Sequence, residues 1–154
     1  MTVPAPAALE SRIAALTDAD LARGFDAFRS KLSAAEVSYL GACVRCGLCA
    51  ESCHYFKASP ELENVPARKL DHVAAAFRRH ATTAGRLLPG LVGARSFDRE
   101  MVRAWVDAVF GRCSLCGRCS INCTVGIALP RVFRAARNEL IAAPPADHVR
   151  LAQV

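Results

Sequence analysis

Hydrophobic positions recur at helical spacing along most of the chain. From Leu9 to Leu16, and again after Thr17, apolar residues return every three or four positions, with Leu21, Phe25 and Phe28 on one stripe. Thr17 stands as an N-cap with Asp18 and Asp20 in the first turn, where acidic side chains meet unpaired N–H groups and the positive end of the helix dipole. Ser33 and Glu36 make a capping box, which predicts a helix over 34–40 running into Gly41. Pro66 opens the strongest pattern, because its missing N–H has no partner to lose in a first turn. Leu70, Val73, Ala74 and Phe77 share a face there, with Lys69, Arg78, Arg79 and His80 placed off it, so residues 66 to about 84 read as helical.

The segment from Gly85 to Arg95 carries three glycines and Pro89 and reads as a loop. Its Leu87, Leu88, Leu91 and Val92 are expected to dock on the core, a partner-binding patch being the alternative. Ser96 is the expected cap of the next helix, with Asp98 and Glu100 in its first turn and Met101, Trp105 and Val109 on one face. Trp105 is assigned to the core. Thr124 to Ile127 is expected to turn away, and Pro130 to open a last helix that reaches about Ala142 and buries Val132, Phe133, Ala136 and Leu140. Pro144 and Pro145 stop it, and residues 1–8 read as a frayed end. No segment alternates as a strand does, so the expected fold class is all-α. The expected divisions are an N-terminal helical extension over 1–32, a main domain over 33–142 and a tail over 143–154.

Between these helices lie all eight cysteines. Cys43, Cys46, Cys49 and Cys53 follow a C-x2-C-x2-C-x3-C spacing, and Cys113, Cys116, Cys119 and Cys123 repeat it, with Cys-Gly-Leu-Cys and Cys-Gly-Arg-Cys in matching places. Two-residue gaps curl a loop so that three thiolates meet three corners of one cubane, and Gly47 and Gly117 let backbone approach the sulfides. The pattern therefore predicts two [4Fe-4S] clusters. Zinc is the alternative, but four-cysteine zinc sites pair two C-x2-C units across a longer spacer, which leaves a surplus cysteine in each run here. A disulfide framework belongs to shorter secreted chains, and Met-Thr-Val-Pro lacks the basic start of a signal peptide. A cytoplasmic location is expected.

Charge changes this picture only slightly. The formal +6 counts cysteines as neutral thiols; eight thiolates and two oxidised four-iron cores bring the loaded chain to roughly +2. With 6% aromatic residues and no stacking platform, nucleic acid is not an expected partner. Apolar runs are broken by Arg, Asp or Gly within about ten residues, so no direct membrane span is expected, and any membrane association comes through a partner.

The helix before Cys43, the two cysteine runs, the spacer opened by Val65-Pro66-Ala67-Arg68-Lys69 and the Gly126-Ile127 that follows resemble the α-helical ferredoxins. Within them the chain is similar to the dicluster ferredoxin subunit of heterodisulfide reductase and to related dicluster electron-transfer subunits. The resemblance covers roughly residues 33 to 142 and implies a relay between a flavin or membrane-cytochrome subunit and a cysteine-rich catalytic subunit. That family usually has Pro after each fourth cysteine, where this chain has His54 and Thr124. His54 reads as a hydrogen-bonding surface histidine, with ligand or proton relay as the sharper alternative.

No catalytic residue is expected, since the chain has no dinucleotide fingerprint, nucleophile–base pair or spare cysteine. The expected function is electron transfer as a subunit of a heterodisulfide-reductase-like complex. A free-standing dicluster ferredoxin and a zinc-bound structural adaptor are the rivals. Crossed ligation is also expected, because a tight loop that has taken three corners leaves the fourth iron facing away from it. Cys43, Cys46 and Cys49 would then share a cluster with Cys123, and Cys113, Cys116 and Cys119 one with Cys53.

Overall fold

The computed structural model describes residues 6–142, so the expected tail over 143–154 and residues 1–5 of the expected frayed end lie outside the described residues. Nine α-helices and no strand are found among the described residues. Helix α1 (Pro6–Ala15) begins inside the stretch read as frayed, because proline is well suited to a first turn. Thr17 then caps α2 (Asp18–Lys31) in a full capping box: the Asp20 N–H donates to Thr17 Oγ1 at 3.2 Å, and the Thr17 N–H to the Asp20 carboxylate at 2.9 Å. Ser33 and Glu36 do the same for α3 (Ala34–Ala42), which ends at the first cysteine.

Helix α5 (Pro66–Ala81) packs against α3 and is the element around which the later helices gather. Thr82 ends it and caps α6 (Thr83–Leu87) by accepting the Gly85 N–H at 3.0 Å, so the segment read as loop starts with a helical turn. Gly85 is required there: a Cβ would stand 1.9 Å from the Arg78 carbonyl oxygen. We expect Gly85→Ala to destabilise the loaded protein by about 1–3 kcal/mol, the range for overpacking, measured as a fall in its thermal midpoint. At the end of α6 and beyond it the expected docking of the leucines is not found. Leu87 and Leu91 are 79% and 82% exposed and Leu88 is also exposed, because the segment closes on its own backbone, with the Ala94 N–H donating to Pro89 O at 2.8 Å.

Helix α7 (Arg99–Val106) is capped by Asp98 rather than by Ser96. The Asp98 carboxylate accepts the Met101 N–H at 2.8 Å, and a charged acceptor makes the stronger cap. The chain then widens into a π-helical turn over Asp107–Gly111, which sets Arg112 at the threshold of the second cysteine run. Short helices α4 (His54–Ala58) and α8 (Arg118–Ile121) lie in or after the cysteine runs, and α9 (Leu129–Ala142) closes the fold against α2, α5 and α7.

The core is one cluster. Phe28 meets Trp105 edge-on with ring centroids 4.9 Å apart, and Phe97 meets the same indole at 4.8 Å. The indole N–H donates to His72 O at 3.2 Å, which satisfies the one polar group that its burial would strand. Ile13, Leu21, Phe25 and Phe28 from the first two helices join Val73, Val109, Val132 and Phe133 in this core.

Candidate metal centre

The two cysteine runs fold alike. In the first, Arg45 (φ 55°) and Gly47 (φ 84°) take left-handed conformations; in the second, Leu115 (φ 57°) and Gly117 (φ 79°) do so at the same motif positions. Alternating hands turn successive N–H groups inward and make a concave nest for an anionic group. Glycine accepts this conformation freely, whereas Arg45 and Leu115 each hold it at a cost of about 1–2 kcal/mol. Arg45 is anchored by its ion pair with Asp71 at 2.6 Å.

The 3-10 turn Leu48–Ala50, which carries Cys49, packs against α8, which carries Cys119. That contact sets the two runs face to face. Two cavities open around the resulting space. One cavity of about 380 Å³, measured with its mouth, is lined by Cys43, Cys46, Cys49 and Cys123, walled by Ala67, Leu70, Val125, Ile127 and Leu129. The other, of about 360 Å³, is lined by Cys113, Cys116, Cys119 and Cys53, together with His54, Tyr55, Lys69, Arg112 and Phe133.

The stretch from Thr124 to Ile127, expected to lead away from the site, instead folds back over it. Gly126 (φ 74°) makes the turn, Val125 and Ile127 join the first wall, and the Ile127 N–H donates to Cys123 Sγ at 3.4 Å. In the second run the Leu115 N–H donates to Cys113 Sγ at 3.3 Å. Cys49 and Cys53 are buried, whereas Cys46 and Cys116 are exposed, so each cavity shows one cysteine to the outside. Cys53 precedes α4 as its cap, whereas Cys123 stands after α8 rather than within a helix.

Burial pushes the Cys49, Cys113 and Cys119 thiols up, Cys119 to about 11, because a thiolate in these walls lacks water. Thiolates form there only against a metal, and loading the site releases protons.

His54 lies beside the second quartet, its Nδ1 3.9 Å from Cys116 Sγ and its Nε2 3.5 Å from Ser114 Oγ, outside the four-cysteine set. Lys69, expected off the apolar face of its helix, is 2% exposed. Its ammonium reaches the Arg112 carbonyl, stands 3.9 Å from Cys53 Sγ and lies over the Tyr55 ring at 5.2 Å. Residues 66, 69, 73 and 76 share one helix face, so the register of α5 carries the signal, and a charge taken as a sign of solvent hides it.

The donor set can be tested against the group the motif implies. Neither cavity is lined by a carboxylate, and an all-thiol set selects soft centres such as zinc, copper(I) or iron–sulfur clusters over hard cations. A single zinc needs donors about 2.3 Å from one point; among the described residues no three His, Cys, Asp or Glu side chains are arranged to hold one metal ion. The thiols ring an opening, with backbone N–H groups aimed at two of the sulfurs, and this fits a cluster. Among the described residues no helix is long and apolar enough to cross a membrane.

Residues 39–127, more than half of the chain, match the family of 4Fe-4S dicluster domains, and the chain belongs to that family. It is an iron–sulfur electron-transfer protein with two [4Fe-4S] clusters. Over 102 residues it is 35% identical to the Hdr-like menaquinol oxidoreductase iron-sulfur subunit of Archaeoglobus profundus, covering 66% of this chain and 18% of that one. It is 34% identical over 89 residues to iron-sulfur subunit 2 of the Hdr-like menaquinol oxidoreductase of Archaeoglobus fulgidus, covering 58% and 16% of the two chains. A subunit of the dihydromethanophenazine:CoB–CoM heterodisulfide reductase of Methanosarcina barkeri is 29% identical over 110 residues, covering 71% and 26%. The chain thus spans about a sixth to a quarter of the length of the curated relatives it matches. No solved structure matches it significantly.

Proposed function

We propose that the chain is the electron relay of a heterodisulfide-reductase-like oxidoreductase complex, with Cys43, Cys46, Cys49 and Cys123 holding one cluster and Cys113, Cys116, Cys119 and Cys53 the other. The observation that carries the pairing is the composition of the two cavities, each lined by three cysteines of one run and the last of the other. Relatives named as iron–sulfur subunits of Hdr-like enzymes support the setting.

When bound, each cluster supplies a one-electron couple. The protein's own residues do the rest. Leu70, Ile127 and Leu129 keep water from the first site. The Leu115 and Ile127 amides direct N–H groups at sulfur, an interaction that strengthens as a site gains negative charge. Cys46 and Cys116, the exposed cysteines, mark where each site comes nearest a partner. The partners are a cysteine-rich catalytic subunit on one side and a flavin or membrane-cytochrome subunit on the other, in the cytoplasm. Residues 33–142 form the cluster-bearing unit, and α2, in the N-terminal extension proposed over 1–32, buttresses it against α9.

Anaerobically prepared protein should be brown, absorb broadly near roughly 400 nm and contain about eight irons per chain. A colourless folded protein with about two zinc ions would establish the structural adaptor instead. Purification of the native protein alone, without other subunits, would favour the free-standing ferredoxin.

A further inference from the structure

We infer that the buried Lys69 ammonium, joined by Arg137, gives the Cys53, Cys113, Cys116 and Cys119 site the higher reduction potential of the two, so that the first electron taken up by the loaded chain rests there. The inference rests on the ligand pairing proposed above.

A buried ammonium with no counter-charge is among the least tolerated groups in a protein interior. Lys69 is fully buried, and among the described residues its partners are the Arg112 carbonyl, the Tyr55 ring and Cys53 Sγ, none of them a carboxylate. Arg137 approaches from α9. It donates to Val109 O at 2.5 Å and to Cys113 O, and lies over the Phe110 ring at 4.9 Å, again with no carboxylate among the described residues. Two cations thus flank the start of the second run, where both act on Cys113, and among the described residues neither makes an ion pair with a carboxylate.

The other cations do not weigh equally. Arg112 lines the same cavity, but Glu61 at 2.9 Å and Asp107 at 2.7 Å offset its charge. Among the described residues Arg45 is the one cation lining the first cavity; it is paired with Asp71, and its side chain is 60% exposed, where solvent screens it. Arg68 and Arg78 share that aspartate, so their charge is offset as well. Among the described residues each quartet accepts a backbone N–H···S bond, at 3.3 and 3.4 Å, and the Ala67 N–H also acts on Cys49 in the first, a neutral dipole set against the full charges at the second. What differs is uncompensated buried positive charge. Reduction adds one negative charge to a site, and adjacent cations favour the more negative state.

The test is a potentiometric titration of the full-length, two-cluster protein followed by EPR. Lys69→Gln and Arg137→Gln should each lower the higher-potential wave and leave the lower one in place. Val125→Lys, on the rim of the first cavity, should raise the lower wave and narrow the gap. A shift of the lower wave in Lys69→Gln, no shift in either wave, or a single wave from the fully loaded wild type overturns the ranking. Should Lys69→Gln not retain both clusters, Val125→Lys decides: a rise confined to the lower wave supports the ranking, and any other response overturns it. The relay reading fails separately, if wild-type protein binds no iron.

Discussion

Cys53→Ser should remove about half of the iron, from about eight to about four atoms per chain, and Cys46→Ser should do the same. The pairing of cysteines is read from how these losses combine. Cys53 lines the cavity of Cys113, Cys116 and Cys119, whereas Cys46 lines that of Cys43, Cys49 and Cys123. Two changes at one site share a loss, while changes at separate sites add. Cys53→Ser combined with Cys116→Ser should therefore cost no more iron than either alone, and Cys53→Ser combined with Cys46→Ser should strip the chain. Iron analysis with Mössbauer spectroscopy reads both outcomes without a prior spectral assignment. If the Cys53–Cys46 double variant still holds half of its iron, ligation is local to each run and the crossed arrangement is wrong.

Stripping the iron with a chelator should loosen part of the fold and leave the rest. Phe28, Met101, Trp105 and Val109 are fully buried and line neither cavity; burying each such side chain stabilises by about 1.5–3 kcal/mol. Helices α4 and α8, of five and four residues, are far too short to persist without tertiary support. Amide exchange in the stripped protein should thus rise sharply over residues 43–65 and 111–128 and stay slow in α2, α7 and the middle of α5. Unchanged protection throughout, or equal loss in the aromatic core, would refute this division.

Much of this architecture is legible in residues whose meaning is local. Thr17, Ser33 and Pro66 mark helix starts because a cap is a contact between near neighbours in sequence. The cysteine spacing is likewise a property of one short loop. Ser96 misleads for want of a long-range constraint: Asp98 wins the cap because Met101, Val102 and Trp105 must face the core, which fixes where the helix begins. Lys69 escapes a local reading because its burial depends on α5 meeting the second run from 43 residues away, at the Arg112 carbonyl. The exposed Leu87 and Leu91 mislead in the other direction, since hydrophobicity alone carries no information about which surface is left uncovered.

The pairing of early and late cysteines around each cavity also bears on how the protein is made. If the ligands are exchanged as proposed, Cys43, Cys46 and Cys49 wait on a chain still being synthesised until Cys123 has left the ribosome, and Cys53 waits until Cys119 has done so. The two sites become complete within four residues of one another. On that pairing, iron–sulfur delivery would act after the second run has emerged, on a chain that has kept the thiols of the first run reduced while everything from α4 to α8 was being made. A message truncated before codon 119 would then yield no complete ligand set at all, whereas local ligation would leave that of Cys43, Cys46, Cys49 and Cys53 intact.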